Sequence, residues 1–291
     1  MAATRADGEP MVTGAGASPG GAGARLEVRG LGKRFAVAGG EPVDALAGVD
    51  LVARPGEFVA VIGPSGCGKS TLFHILAGLE APSAGEVLID GQVFTAPLGA
   101  CAFMPQHDGL LPWRRIIDNA TIGLELAGVS RAEARRQADP LLERFGLGGF
   151  ARAWPWQLSG GMRHRAAFLR TVLMGKPAML LDEPFGALDG ITRADLQQWL
   201  LGVWAEVGST VLLITHDVTE AVFLADRVYV MSPRPGRIAA TITVDLPRPR
   251  TLDVEESSAF GEYESRLRET LRAGSASAAR DVPTPMAQVA E

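Results

Sequence analysis

The chain has 291 residues, 47% of them hydrophobic and 21% charged, with a net charge of −5 from 28 basic and 33 acidic side chains. That composition supports an ordinary buried core and excludes a wholly disordered chain, and it lacks the basic stripe that a duplex-binding protein needs, so no nucleic-acid partner is expected. Two cysteines, Cys67 and Cys101, cannot build a disulfide framework or a four-ligand zinc site. No run approaches the ~20 apolar residues of a membrane span. No apolar leader opens the sequence, so a soluble intracellular chain is expected.

In chain order, residues 1 to about 24 are Gly, Ala, Ser, Pro and Thr without a period and read as a flexible tail. A domain over 25–250 follows. Leu26–Val28 predicts a short strand. Phe58–Ile62, apolar throughout and bounded by Pro55-Gly56 and Gly63, predicts a buried strand, with a helix from Lys69 to about Ala77. Gly85–Asp90 and Ala100–Met104 read as further strands. Residues from Ile116 to Phe145 look helical. Pro140 should interrupt them, either as a kink or as the first turn of a new helix capped by Asp139.

A helix is expected from Ser159 to about Leu173, then strands at Met179–Leu181 and Val211–Ile214. Between those strands Leu196, Trp199, Leu200, Val203, Trp204 and Val207 trace one helical face. Strands alternating with helices predict an α/β fold with an open parallel sheet covered on both sides. The helical block at about 107–165 reads as an inserted subdomain. Phe260, Tyr263, Leu267 and Leu271 mark a C-terminal helical extension over 251–272, and 273–291 reads as a second flexible tail.

Gly63-Pro64-Ser65-Gly66-Cys67-Gly68-Lys69-Ser70 fits G-x-x-x-x-G-K-[ST] at every fixed position, with Thr71 next. Glycines free the backbone to wrap an anion, and the following helix begins there with its positive end. Lys69 offers a compact charge to the β- and γ-phosphates, and Ser70 a hydroxyl to Mg²⁺. Cys67 sits where a helix terminus can lower a thiol pKa. It reads first, however, as a small residue that fits the loop.

Met179-Leu180-Leu181-Asp182-Glu183 is an apolar strand ending in two acids, and ligands of open α/β sheets bind beyond such ends. Adjacent strand residues point oppositely. Asp182 is therefore expected in the Mg²⁺ shell and Glu183 on the nucleophilic water. At Leu158-Ser159-Gly160-Gly161-Met162, Ser159 can cap a helix whose first amides lie bare at two glycines, a second phosphate-binding helix start. One nucleotide does not need both from one chain. Two copies head to tail would use both.

LSGGM resembles the signature of ATP-binding subunits of ABC transporters, and the resemblance covers about residues 26–250. It implies a P-loop NTPase fold: a RecA-like core sheet, an antiparallel β subdomain and an inserted helical subdomain. It also implies ATP and Mg²⁺, with Phe35 stacking on adenine and Gln106 touching Mg²⁺ and sensing a permease. Ala187-Leu188-Asp189 resembles the loop that crosses the dimer, and His216 the switch histidine on the γ-phosphate. By that resemblance Lys69, Gln106, Glu183 and His216 carry hydrolysis, while Ser159, Gly160, Gly161 and Asp189 join the nucleotide site of a homodimer. Met162 and His164 depart from the usual Gln at their positions.

Leu110-Leu111-Pro112-Trp113-Arg114, Glu220 to Arg227, Ser232 to Ile238 and Asp245 to Arg250 resemble the nitrate, sulfonate and taurine importer branch. The segment Leu110–Trp113 can line a groove for a permease helix or pack in the core. The branch implies a peripheral ATPase on the cytoplasmic face of the inner membrane, bound to a permease and served by a periplasmic or lipid-anchored substrate-binding protein. A non-transport ABC ATPase and a nucleotide-gated interaction module are the competing readings.

Overall fold

Five-residue runs of mostly apolar side chains decide the architecture. A computed structural model describes residues 23–94, 99–186 and 188–280. In it, the segments Phe58–Ile62, Ala178–Asp182 and Thr210–Ile214 are buried at every position, as strands covered on both faces must be.

The elements run β1 (Leu26–Phe35), β2 (Val43–Ala53), β3 (Phe58–Ile62), α1 (Lys69–Leu76), β4 (Ala84–Ile89), β5 (Gln92–Val93) and β6 (Ala102–Met104). Helices α2 (Ile116–Ala120), α3 (Ile122–Leu126), α4 (Arg131–Arg144) and α5 (Gly160–Leu173) follow. The chain then returns through β7 (Ala178–Asp182), α6 (Gly190–Val207), β8 (Thr210–Ile214), α7 (Val218–Leu224), β9 (Arg227–Met231), β10 (Ile238–Thr243) and α8 (Ser258–Arg280).

The main sheet has the order β10-β9-β3-β8-β7-β6, parallel except for β10. A separate antiparallel sheet has the order β2-β1-β4-β5. Alternate residues of β3 feed two cores. Val59 and Val61 pack with Leu26, Val28, Leu72 and Phe73, between the two sheets and α1. Phe58, Ala60 and Ile62 join the core under α5 to α8, with Phe168, Leu200, Val222 and Leu267. A core sheet, a separate antiparallel sheet and a helical block between β6 and β7 are the three parts that the resemblance implies.

Several expectations need correction. The strand foreseen at Leu26–Val28 runs on to Phe35, through glycines and a shifting register against β2. The block at Ile116–Phe145 is three helices, and its breaks lie at Thr121 and around Gly128 (φ 88°) rather than at Pro140. Ser130, whose hydroxyl accepts from the Glu133 amide, caps α4, and α4 passes through Pro140 without Asp139 serving as a cap. Buried Ala134, Ala138 and Leu142 hold that helix against its neighbours, which outweighs the proline's missing donor.

Ala24 is buried and its amide donates to the Pro177 carbonyl, so the packed chain starts inside the stretch read as a tail. Helix α8 continues past Ala273 to Arg280, through alanines with strong helix propensity. The remainder of both tails lies outside the described residues.

Pro140 is exposed and sits deep inside α4. Pro140→Ala restores a backbone donor and should stabilise the chain by up to about 3 kcal/mol. A thermal unfolding midpoint that falls instead would contradict the assignment of one continuous helix.

Candidate functional site

Parallel register assembles the site. Ile214 pairs with Val61 on one side and Asp182 on the other, and Leu181 pairs with Met104, so β3, β8, β7 and β6 end level. Gly63, Gln106, Glu183 and His216 follow those ends closely, at the carboxyl edge where open sheets bind ligands.

The loop Gly63–Gly68 opens into α1, with Gly66 at φ 75° and Gly68 at φ 103°. A Cβ at Gly68 would stand 2.8 Å from the Ala45 carbonyl oxygen, so β2 presses on the loop from behind. A Cβ at Gly66 would meet nothing within 4 Å. Ser65, Gly66 and Ser70 are exposed, Pro64 and Thr71 half-buried. Lys69 is buried, and its Nζ donates to the carbonyls of Gly63 (2.8 Å) and Pro64 (3.1 Å). The loop thus pairs an open glycine face with a fixed cation and the positive end of α1, a cradle that suits a polyphosphate. Cys67 is buried beneath it, and burial pushes its thiol up, which favours the packing role over reactivity.

Asp182 is buried. Burial, then the neighbouring Glu183, raise its pKa, opposed by His74, the Ser70 hydroxyl and Lys69. No cluster of three or more His, Cys, Asp or Glu able to hold a metal occurs among the described residues. The Ser70 hydroxyl beside the Asp182 carboxylate is instead the sparse, hard-oxygen set that Mg²⁺ accepts when it keeps waters and phosphate oxygens as its other ligands. A cation there would also relieve the burial of Asp182. The residues fit the ion.

Glu183 has a positive φ of 44°, a strained conformation for a side chain of this kind, and its amide is tied to the Ile214 carbonyl at 2.9 Å. The turn aims its carboxylate at two partners. Gln106 Nε2 donates to Oε2 at 3.0 Å, and His216 Nδ1 lies 3.4 Å from the same oxygen. Residues from two other strand ends therefore converge on the one Glu183 carboxylate.

The other predicted residues stand apart from that group. Ser159 caps α5, accepting from the Met162 amide at 3.3 Å. A Cβ at Gly161 would come within 2.9 Å of Thr192 Cγ2, which explains a glycine there. Among the described residues no hydrogen bond joins Ser159–Gly161 to Gly63–Thr71. Asp189 is exposed and caps α6 through the Thr192 amide at 3.1 Å, which lowers its pKa. Ala187, beside it, lies outside the described residues. Phe35 ends β1, 37% exposed, with Lys33 Nζ 4.9 Å from its ring centre. Trp113 is 71% exposed, which excludes a core role.

Sequence reasoning missed three groups. Arg170 and Arg163 of α5 hold the segment after Gln106, donating to the Asp108 carbonyl (2.7 Å) and carboxylate (3.1 Å). Arg193 lies 3.5 Å from Asp217. Glu220 is buried in α7 and its pKa is pushed up to about 8, chiefly by that burial. Asp217 followed three residues on by Glu220 is a helix-start signal that could have placed α7.

The pattern of ABC transporters matches residues 46–186. An uncharacterized ABC transporter ATP-binding protein of Methanocaldococcus jannaschii is 43% identical over 248 residues, 85% of this chain and 91% of the relative. The chain belongs to the ABC transporter family. The taurine import ATP-binding protein TauB of Yersinia pestis is 43% identical over 220 residues, 76% of this chain and 84% of that protein. The dimeric structure of MJ0796, a bacterial ABC transporter cassette, superposes with a TM-score of 0.65 at 32% identity, over 76% of this chain and 100% of that one. The chain is thus an ABC transporter ATP-binding subunit, an ATPase of the kind that couples hydrolysis to transport.

Within this ABC subunit, Glu220 is the buried acid with the clearest pH signature. Its raised folded pKa means that folding takes up a proton between about pH 4.5 and about pH 8. Its contribution is therefore complete below the unfolded value and lost as pH rises through the folded one. Glu220→Gln should flatten the fall in stability across that window, read from urea midpoints at pH 5 and 8. An unchanged slope would contradict the assignment.

Proposed function

We propose that this subunit energises an importer of small sulfonates such as taurine, or of related anions such as nitrate. Two copies act head to tail, bound peripherally to the cytoplasmic side of an inner-membrane permease. A periplasmic or lipid-anchored substrate-binding protein delivers the cargo. The observation that carries the hydrolytic part is the carboxylate of Glu183 held between Gln106 and His216 at the edge of the Gly63–Ser70 loop.

Support for the importer comes from the taurine import proteins among the relatives, including one of Chromobacterium violaceum, 46% identical over 203 residues. No helix among the described residues is long and apolar enough to cross a membrane, so the path would belong to another chain. Exposed Trp113, just beyond Gln106, supplies an aromatic anchor for a permease helix. The separation of Ser159–Gly161 from the loop supports two copies, each loop being completed by the other copy's Ser159 and glycines, with Asp189 at the crossing. MJ0796 has been seen as a dimer and in a post-hydrolysis state with ADP and Pi.

In this reading Phe35 stacks on the adenine, and the loop amides with Lys69 hold the phosphates. Ser70, Asp182 and Gln106 would hold Mg²⁺, and the ion would supply charge neutralisation at the phosphates. Glu183 orients the attacking water, and His216 hydrogen-bonds the γ-phosphate. Positioning and electrostatics do most of the catalysis, as in phosphoryl transfer generally. Closure of the two copies reaches the permease through Gln106, whose following segment is clamped to α5 by Arg163 and Arg170.

Lys69→Ala should weaken nucleotide binding, measured with a fluorescent ATP analogue. Glu183→Gln should keep binding, lower kcat by about 100-fold or more, and leave an ATP-locked dimer in size-exclusion chromatography. Turnover near the wild-type rate in Glu183→Gln would remove Glu183 from its role. For cargo, the subunit reconstituted with its permease should show ATPase activity stimulated by taurine-loaded binding protein. Equal stimulation by the unloaded protein would overturn the substrate class.

A further inference from the structure

Two buried polar atoms near the His216 turn have no hydrogen-bond partner among the described residues: Nε of Arg193, near the start of α6, and Oε1 of Glu220, in α7. The Arg193 guanidinium reaches in two directions. Nη2 donates to the Leu188 carbonyl at 3.0 Å, immediately before Asp189, and Nη1 lies 3.5 Å from Oδ2 of Asp217, immediately after His216. The Arg193 amide also bonds the Asp189 carbonyl at 2.9 Å.

On its far side Asp217 is fully engaged. Its Oδ1 accepts the amides of Thr219 (2.9 Å) and Glu220 (3.3 Å), and its own amide donates to the Thr215 hydroxyl at 3.0 Å. The turn from Thr215 to Glu220 is therefore a compact hydrogen-bonded unit, and Arg193 joins it to the Leu188–Asp189 segment by side chain. The Thr219 hydroxyl donates to Glu264 of α8, which braces the unit from another helix. Burial keeps Glu220 largely un-ionised, so the guanidinium's ionised partner in this group is Asp217.

We propose that Arg193 is a positioning residue for hydrolysis. Its forked guanidinium holds the Leu188–Asp189 segment and the His216 turn as one body, and so sets the approach of His216 to Glu183. A planar two-pronged donor suits this task because it fixes distance and direction together, which a lysine cannot. The consequence is directional. If Leu188–Asp189 faces a second copy, displacement there reaches the His216 turn through the Arg193 side chain. The inference rests on the reading above, in which His216 acts in hydrolysis.

The test is a mutant cycle on the full-length chain. Arg193→Gln should lower kcat about tenfold while leaving the KM for ATP within about twofold. In a His216→Ala background the same substitution should add less than about a twofold loss, because its effect runs through the histidine. Without nucleotide, the ring resonance of His216, one of four histidines, should shift in the NMR spectrum of Arg193→Gln. Arg193→Lys, which keeps the charge but loses the fork, should show the same pattern with a smaller loss and covers the case in which the glutamine variant folds poorly. Equal losses in both backgrounds, or an unmoved His216 resonance, would overturn the positioning role alone. Undiminished turnover of His216→Ala by itself would remove the reading of the site, and this inference with it.

Discussion

The level ends of four parallel strands are the constraint on which the rest depends. Pairing of Val61 with Ile214, Asp182 with Ile214 and Leu181 with Met104 fixes where the loop, the two acids, Gln106 and His216 emerge. In a sheet, a slip of one residue exchanges the two faces. Here it would move Val59 and Val61 into the core that Phe58, Ala60 and Ile62 occupy. Burial on both faces thus enforces the register, and the register enforces the geometry around the Glu183 carboxylate. The apolar core acts on the chemistry through alignment.

At this edge the structure accepts local penalties that the core compensates. Glu183 adopts a left-handed backbone, Asp182 is buried as an acid, and Glu220 is held near neutrality. Each is unfavourable in isolation, by about 1–3 kcal/mol for backbone strain of this kind. Our reading assigns Asp182 and Glu183 themselves to metal and water, and Glu220 follows His216 in the neighbouring turn. The tie from the Glu183 amide to Ile214 shows how the strain is held: a ladder bond of the sheet continues one residue past the strand.

Much of this was legible in the residues. Phe58–Ile62 and the Lys69 helix read correctly because an unbroken apolar run and a glycine-rich turn are strong local signals. Glu183 was placed by its position after an apolar strand, whereas Gln106 and His216 were placed beside it by the resemblance to ABC transporter ATP-binding subunits. What escaped was non-local. β2 (VDALAGVDLVA) alternates imperfectly and makes sense only beside β1 and under the loop. The helix breaks near Thr121 and Gly128 carry weaker punctuation than Pro140, yet Pro140 is tolerated because α4 is held by its buried face. Arg193 gave no signal at all, since its meaning lies in a carbonyl and a carboxylate from two other segments.

On our reading the sheet edge makes one half of a nucleotide cradle, and a second copy brings the other half at Ser159–Gly161. Backbone hydrogen exchange in the Glu183→Gln chain with Mg²⁺ and ATP addresses this division directly. Amides of residues 66–70 should gain protection at every protein concentration, whereas those of 160–162 should gain it only as concentration rises and copies pair. Protection of both segments independent of concentration, or none at 160–162 under any condition, would contradict the account.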